Sequence, residues 1–277
     1  MGTLIYLECI KTFRKMRTYI SFAAILCGLV LVDLGILLDK DSFMMAQRWF
    51  AKDFFITGNP LNAFFVAHLV MMTLLFHIPI LIALVAGDQF AGEATEGTLR
   101  MIMIRPPARR HIYIAKVVTA FIYSIVLVLF LAVGSLGGGL LLFGRGEMLV
   151  FGMGLRILTQ QQAIIAFLLA YPLAMLAMMT IAALSLLLSV LVENAIGPII
   201  GTMAVMIVSL IVTETTIPFF NSISPFFFTS YTKIWQAAFM QPIPYNDIFY
   251  NAGMMLVYIL LFLGAGWIIF NRRDIMI

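Results

Sequence analysis

Six stretches of this 277-residue chain are nearly free of charge and long enough to cross a lipid bilayer: 19–38, 62–86, 117–143, 163–191, 196–217 and 252–270. About 20 mostly apolar residues in a helix match the roughly 30 Å hydrocarbon core of a membrane. Only 11% of the residues are charged and 63% are hydrophobic, whereas a soluble domain carries about 25% charge. A water-soluble body cannot hide that much apolar surface. The expected fold is an all-α integral membrane protein, with residues 1–277 forming a single transmembrane domain of six transmembrane helices. Its longest intervening stretches, 219–250, 87–111 and 39–61, fall short of the roughly 50 residues that an independent domain needs. A separate soluble catalytic domain is therefore not expected.

Lysine and arginine set the expected sidedness, because cytoplasmic loops of membrane proteins are enriched in both. With the N-terminus inside, the inner segments hold Lys11, Arg14, Lys15, Arg17, Arg100, Arg105, Arg109, Arg110, Lys116, Arg272 and Arg273. The outer ones hold Lys40, Arg48, Lys52, Arg145, Arg156 and Lys233. Eleven against six places both termini in the cytoplasm of a multi-pass protein, in the plasma (bacterial inner) membrane. The net charge of +4 then reads as attraction to anionic lipid and not to nucleic acid. No small-residue cleavage site follows the first apolar run at Leu37-Leu38-Asp39-Lys40, so that run is expected to stay as a signal anchor. Cys9 and Cys27 suggest no disulfide framework.

Residues 1–18 form an amphipathic segment. At 100° per residue Ile5, Cys9, Phe13 and Met16 fall on one side, while Glu8, Lys11, Thr12 and Lys15 gather opposite. This pattern predicts an interfacial helix whose charged face is wet. The loop at 87–111 concentrates charge in a chain that otherwise avoids it. Asp88, Glu93 and Glu96 come first, and Arg100, Arg105, Arg109 and Arg110 follow. Glu93 and Glu96 are three apart and share a helix face. Gly97 can end that turn, Thr98 can cap the next one, and Pro106 stops its extension. The expectation is two short helical turns that present carboxylates and then guanidinium groups to the cytoplasm, a surface suited to docking another protein. The Gly92–Gly97-Thr98 spacing imitates a phosphate-binding loop, but Thr98 stands where lysine is obligatory and no strand precedes it.

Glu93, Gly97-Thr98-Leu99-Arg100, Arg105-Pro106, Arg109, Ile112 and Lys116, with the ending Phe270-Asn271-Arg272-Arg273-Asp274-Ile275, closely resemble the cytoplasmic loop and tail of ABC-2-type permeases. These are the six-span membrane subunits of ABC transporters. The resemblance runs along essentially the whole chain, although Ala115 stands where many members have glycine and Pro107 adds a less usual second proline. It implies a non-catalytic subunit, with no enzyme activity and no cofactor of its own. ATP and magnesium would be held by two copies of a partner ATP-binding subunit, and a second permease, as a homodimer or heterodimer, would complete the pathway. On that reading 87–111 is a coupling helix that presses into the ATPase. Glu93, Glu96, Gly97, Thr98, Arg100 and Arg105 are its contact residues, and Arg109, Lys116, Arg272 and Arg273 are cytoplasmic anchors. Export is the expected direction.

Inside the spans, Asp33 and His77 are candidate pathway groups, since intramembrane ionisable residues are costly and tend to mark function. Pro79 is expected to kink its helix. His68 lies nine residues before His77, or 900°, so the two face opposite sides; it shares a face with Met71 and Met72, a weak soft-metal set. Segment 219–250 holds 11 aromatics and is cut by Pro225, Pro242 and Pro244. Such residues favour the membrane interface, and the family likeness implies short re-entrant helices at the outer mouth. Two alternatives compete with the permease reading: a secondary transporter working without an ATPase, and a membrane assembly or anchoring protein. An intramembrane enzyme has less to support it, because His68, His77 and His111 fit no metal motif.

Overall fold

The computed structural model describes residues 1–39, 61–97, 108–152, 154–215 and 217–272. The chain opens with α1 (Gly2–Arg14) and α2 (Met16–Leu38), separated at Lys15, whose φ of −72° and ψ of 141° are extended. The Thr18 hydroxyl donates to the Thr12 carbonyl (2.6 Å) across the break. Helix α3 (Ala63–Ala86) is followed by the short α4 (Asp88–Thr95), and α5 (Arg109–Leu142) comes next. A β-hairpin of β1 (Met148–Gly152) and β2 (Gly154–Leu158), paired antiparallel with Met148 opposite Leu158, joins α5 to α6 (Gln160–Leu191). Then come α7 (Gly197–Glu214), the short α8 (Pro218–Ile223) and α9 (Thr229–Thr232), a 3₁₀ turn at Ile234–Phe239, and α10 (Tyr245–Arg272).

Among the described residues five helices, α2, α5, α6, α7 and α10, are long and apolar enough to cross a membrane. A sixth is reached if the two halves of α3, Ala63–Leu74 and Phe76–Ala86, count as one span bent by 54°. The bend has a local cause. Pro79 has no N–H for the Leu75 carbonyl, and its ring crowds that carbonyl, so the helix opens one turn ahead of the proline. The His77 ring Nδ1–H donates to the Thr73 carbonyl (2.8 Å) beside the break.

Helix α6 forms the centre: 67% of its apolar stretch is buried, against 22–28% for α2, α7 and α10. It packs on α10, α5, α3 and α7, and it starts with a reciprocal cap in which Thr159 and Gln162 bond each other's backbone N–H. Helix α5 rises about 51 Å at 1.5 Å per residue, well beyond the roughly 30 Å of hydrocarbon. It runs unbroken through Gly134, Gly137, Gly138 and Gly139. Three of these glycines admit a neighbour: a Cβ at Gly134 would strike Leu29, one at Gly138 would sit 3.1 Å from the Asp33 carboxylate, and one at Gly139 would lie 3.0 Å from the Ala63 carbonyl oxygen. At that end Asn62 caps α3, its side-chain oxygen accepting from the N–H groups of Phe64 and Phe65, while its amide donates to the Glu147 carbonyl (2.5 Å).

The hairpin was not legible in the sequence, since Met148–Leu158 is short and interrupted by glycines. The aromatic segment divides into short helical pieces, as its prolines suggest. Its rings split between two environments: Phe228, Tyr231, Trp235 and Phe239 are buried, and Phe219, Phe226, Tyr245, Phe249 and Tyr250 are exposed.

The Gly139–Ala63 approach is backbone against Cα and cannot relax by a rotamer change. A Gly139→Val substitution is expected to cost about 1–3 kcal/mol through overpacking, read as a lowered unfolding midpoint of the purified protein in detergent. An unchanged midpoint would show that α3 and α5 are not in contact there.

Candidate functional site

Helix α4 lies at the face of the molecule that holds α1 and the last turns of α10. Its first six residues, Asp88 to Glu93, are buried, while Thr95, Glu96 and Gly97 are exposed. Gly97 takes a φ of +69° and ends the helix in the left-handed conformation that glycine supplies without a Cβ penalty. Several neighbouring elements hold α4 in place. The Ser189 hydroxyl of α6 accepts from the N–H groups of Phe90 and Ala91 (3.1 and 3.0 Å) and donates to the Gly87 carbonyl (2.5 Å). At the other end the Thr95 hydroxyl donates to the Glu193 carbonyl (2.8 Å) and accepts from the Ala195 N–H (3.2 Å), fixing α4 to the α6–α7 turn. The Phe90 ring packs on Tyr113 of α5 and Phe270 of α10, with centroids 5.7 and 5.1 Å away.

A further attachment is ionic and ties α4 to α1 and α5. Lys116, wholly buried on α5, bonds Glu93 at 2.6 Å and Glu8 of α1 at 3.2 Å. Lys11 of α1 also pairs with Glu93, and the Lys116 ammonium stands 5.5 Å from the Phe90 ring centre. Beside this set, Asp88 receives Lys15 and Arg17, each at 2.6 Å. Gly92 makes that possible, because any Cβ there would lie 2.2 Å from the Asp88 carboxylate. Glu93, Glu8 and Lys116 thus neutralise one another inside the protein, with Lys11 completing the set from a partly exposed position. Burying an unpaired ion costs several kcal/mol, so these charges stay inside only as a set.

Burial alone would raise the Glu93 carboxyl; the Lys116 charge and the Lys11 hydrogen bond together outweigh it and hold the group below its usual 4.5. Lys11 is pulled down by burial and pushed up by Glu93, ending above its usual 10.5. A depressed acid stabilises the fold above its unfolded value, and that contribution is lost as pH falls through the folded value. A raised lysine stabilises below its unfolded value and loses its contribution as pH rises through the folded one. The network therefore holds between those limits and fails outside them.

This geometry corrects two expectations. The carboxylate of Glu93 is not presented to solvent: the residue is 1% exposed and faces α5. Nor is the charged side of α1 turned to water, although Lys11 and Lys15 remain partly exposed. Glu8 and Thr12 are its buried residues, and Gln89 donates to the Thr12 hydroxyl (3.1 Å), while Tyr6 and Leu7 point outward with 65% and 56% exposure. Buried acids on α4 and a buried lysine on α5 need partners, whereas outward apolar residues suit lipid, so α1 turns its polar face inward.

Of the other candidates, Glu96 is exposed, and Thr98, Arg100, Arg105 and Arg273 lie outside the described residues. Arg109 donates to the Asn271 carbonyl (3.0 Å), joining the start of α5 to the end of α10, and Arg272 is exposed. Asp33 and His77 are not brought together. Asp33 is buried near Gly138, its Oδ1 without a hydrogen-bond partner among the described residues, whereas His77 is exposed and lines a cleft with Ala24 and Ile25, about 12 Å back along α2 by helical rise. His68 is buried against Phe239 and Trp235, with ring centroids at 4.4 and 6.3 Å. Met71 is buried and Met72 exposed, so they form no single set with it. Sequence reasoning missed Glu8, Asp88 and Ser189. The available signal was the match between three basic residues before the first span and acids after the second.

Removing one member of the ionic set should be worse than removing a pair. Lys116→Ala is expected to cost about 3–5 kcal/mol, and Lys116→Met combined with Glu93→Gln to recover most of it, measured as unfolding midpoints in detergent. The midpoint of the native protein should fall as pH drops below 4.5, and less steeply in the double variant. Equal effects of the single and double changes would remove the network from the account.

Residues 22–276 match a family described as "Protein of unknown function (DUF2705)". An "Uncharacterized protein YhcI" from Bacillus subtilis (strain 168) is 35% identical over 80 residues, which is 29% of this chain and 24% of that protein's length.

Proposed function

The chain belongs to the DUF2705 family, and we propose that this member is the membrane-spanning permease subunit of an ATP-driven transporter, an exporter of the ABC-2 type. It has no catalysis of its own and takes its work from a separate ATP-binding subunit. The observation that carries this reading is the mounting of α4. A short helix between two apolar helices is buried along most of its length, gripped by α1, α5, α6 and the α6–α7 turn, and left exposed only at Thr95, Glu96 and Gly97. A lever needs such a construction, because a push on the exposed tip is transmitted only if the other end cannot yield. The likeness of Gly97-Thr98-Leu99-Arg100 and Arg105-Pro106 to the permease loop adds the chemistry of the partner.

Glu93 and Lys116 then act as positioning residues within the foot, and Glu96 is the described acid that faces the ATPase. Arg100 and Arg105 would extend that surface. A pair of permeases and a pair of ATPases, in the cytoplasmic membrane with both termini on the ATPase side, completes the assembly. The second reading is a secondary transporter. One observation favours it: Asp33, buried in α2, has a carboxylate oxygen with no hydrogen-bond partner among the described residues.

The test is affinity purification of the tagged chain from its own membranes. A nucleotide-binding subunit should co-purify. Glu96→Lys should lower its recovery about tenfold or more, since like-charge juxtaposition costs several kcal/mol, with the chain's own unfolding midpoint unchanged. Absence of any ATPase after cross-linking, together with full transport in vesicles lacking nucleotide, would overturn the proposal in favour of the second reading.

A further inference from the structure

A groove of about 550 Å³ opens sideways between α5 and α6, with Phe64 of α3 at its back. The volume falls within the range of small-molecule sites, but the chemistry of the walls is one-sided. Val133 and Gly137 line it on α5, and Ile164, Leu168 and Tyr171 on α6. The Tyr171 hydroxyl is already engaged with the Ser135 hydroxyl (2.8 Å), so only its ring is offered. The rims are apolar and open, Val133 being 72% and Leu168 68% exposed.

Helical rise places the groove. Ile164 is four residues and Met175 fifteen residues into α6, so the groove runs from about 6 to 22 Å below the α5–α6 connector. That span is close to the depth of one leaflet, about 15 Å or half of the hydrocarbon core. The leaflet is the one remote from α1 and the last turns of α10. The connector that joins α5 to α6 at this end carries two arginines, Arg145 and Arg156, and one acid, Glu147. Arg145 is exposed and Arg156 half-exposed, and neither takes part in an ion pair among the described residues. Arginine offers a planar fork that matches phosphate oxygens.

We infer that the α5–α6 groove is a binding site for one anionic phospholipid of that leaflet, an acyl chain lying along Val133, Gly137 and Leu168 and the phosphate meeting Arg145 and Arg156. A second copy of this chain would fill the hydrocarbon part but would bring another connector of the same net positive charge against these arginines, so the charge at this end of the groove selects lipid. The inference does not depend on an ATPase partner and concerns a different face from α4.

Gly137 supplies the test. A Cβ there meets nothing within 4 Å, so a leucine at Gly137 starts from open space in the groove wall, and in a helix interior leucine is favoured over glycine. The purified protein is delipidated, equilibrated with mixed micelles of phosphatidylglycerol and phosphatidylethanolamine, and examined by native mass spectrometry. One phosphatidylglycerol per chain should survive activation that strips the rest. Gly137→Leu should lower that retention about tenfold, equivalent to 1.4 kcal/mol, with an unchanged unfolding midpoint. Arg145→Ala with Arg156→Ala should abolish the preference for phosphatidylglycerol while leaving a lipid bound. Retention unaffected by Gly137→Leu overturns the inference. A change of oligomeric state in that variant with lipid retention intact also overturns it, and makes the groove a seam between copies.

Discussion

Lys116 stands in the first turns of a helix that then runs without a break to Leu142, and nothing around it is wet. Its ammonium is tolerable there only because Glu93 and Glu8 reach it from two other helices. That requirement organises one whole face of the molecule. It draws α4 inward and turns the polar side of α1 away from water. It also explains the extra length of α5, whose first turns serve the ionic set and not the bilayer. Buried ion pairs contribute little net stability against apolar replacements; what this one supplies is a single allowed placement for three helices that hydrophobic packing alone would leave free to slide.

The apolar part of the structure obeys different rules. Lipid is as apolar as leucine, so helices are held together by close packing and by backbone approach at small residues. Gly134, Gly138 and Gly139 on α5 meet Leu29, Asp33 and Ala63 in this way, and α6 collects contacts from α3, α5, α7 and α10. Helices α2, α7 and α10 leave broad apolar surface uncovered. In a bilayer such surface is ordinary. The two regimes meet near Lys116, where ionic register fixes the end of a helix that small-residue packing positions along the rest of its length.

Much of the architecture was legible because a membrane permits so few solutions. Apolar length located the long helices, Pro79 announced the bend in α3, and Gly97 marked the end of α4. The facing of polar residues was not legible. A helical wheel groups Glu8, Lys11, Thr12 and Lys15 correctly, but only the positions of Glu93, Asp88 and Lys116 decide whether that group looks toward water or protein. Those residues lie 70 to 110 positions away in sequence, beyond the reach of any local pattern. Glu93 was singled out as functional for its rarity in a charge-poor chain, and its burial gives that rarity a structural role. The β-hairpin escaped for a different reason: five-residue strands separated by a single residue carry too little alternation to be distinguished from a loop.

The central claim is that α1 docks on α5 through Glu8 and Cys9, which both face it, as one body with α4. The chain carries its own reporter, since Cys9 Sγ lies 3.6 Å from the Thr119 hydroxyl of α5. In a Cys27→Ser background, the Thr119→Cys variant should form a disulfide with Cys9 under mild oxidation in native membranes, seen as the loss of two mass units and of both free thiols. Thiols that stay free and fully reactive under the same conditions would mean that α1 lies elsewhere, and the ionic foot as described would not exist.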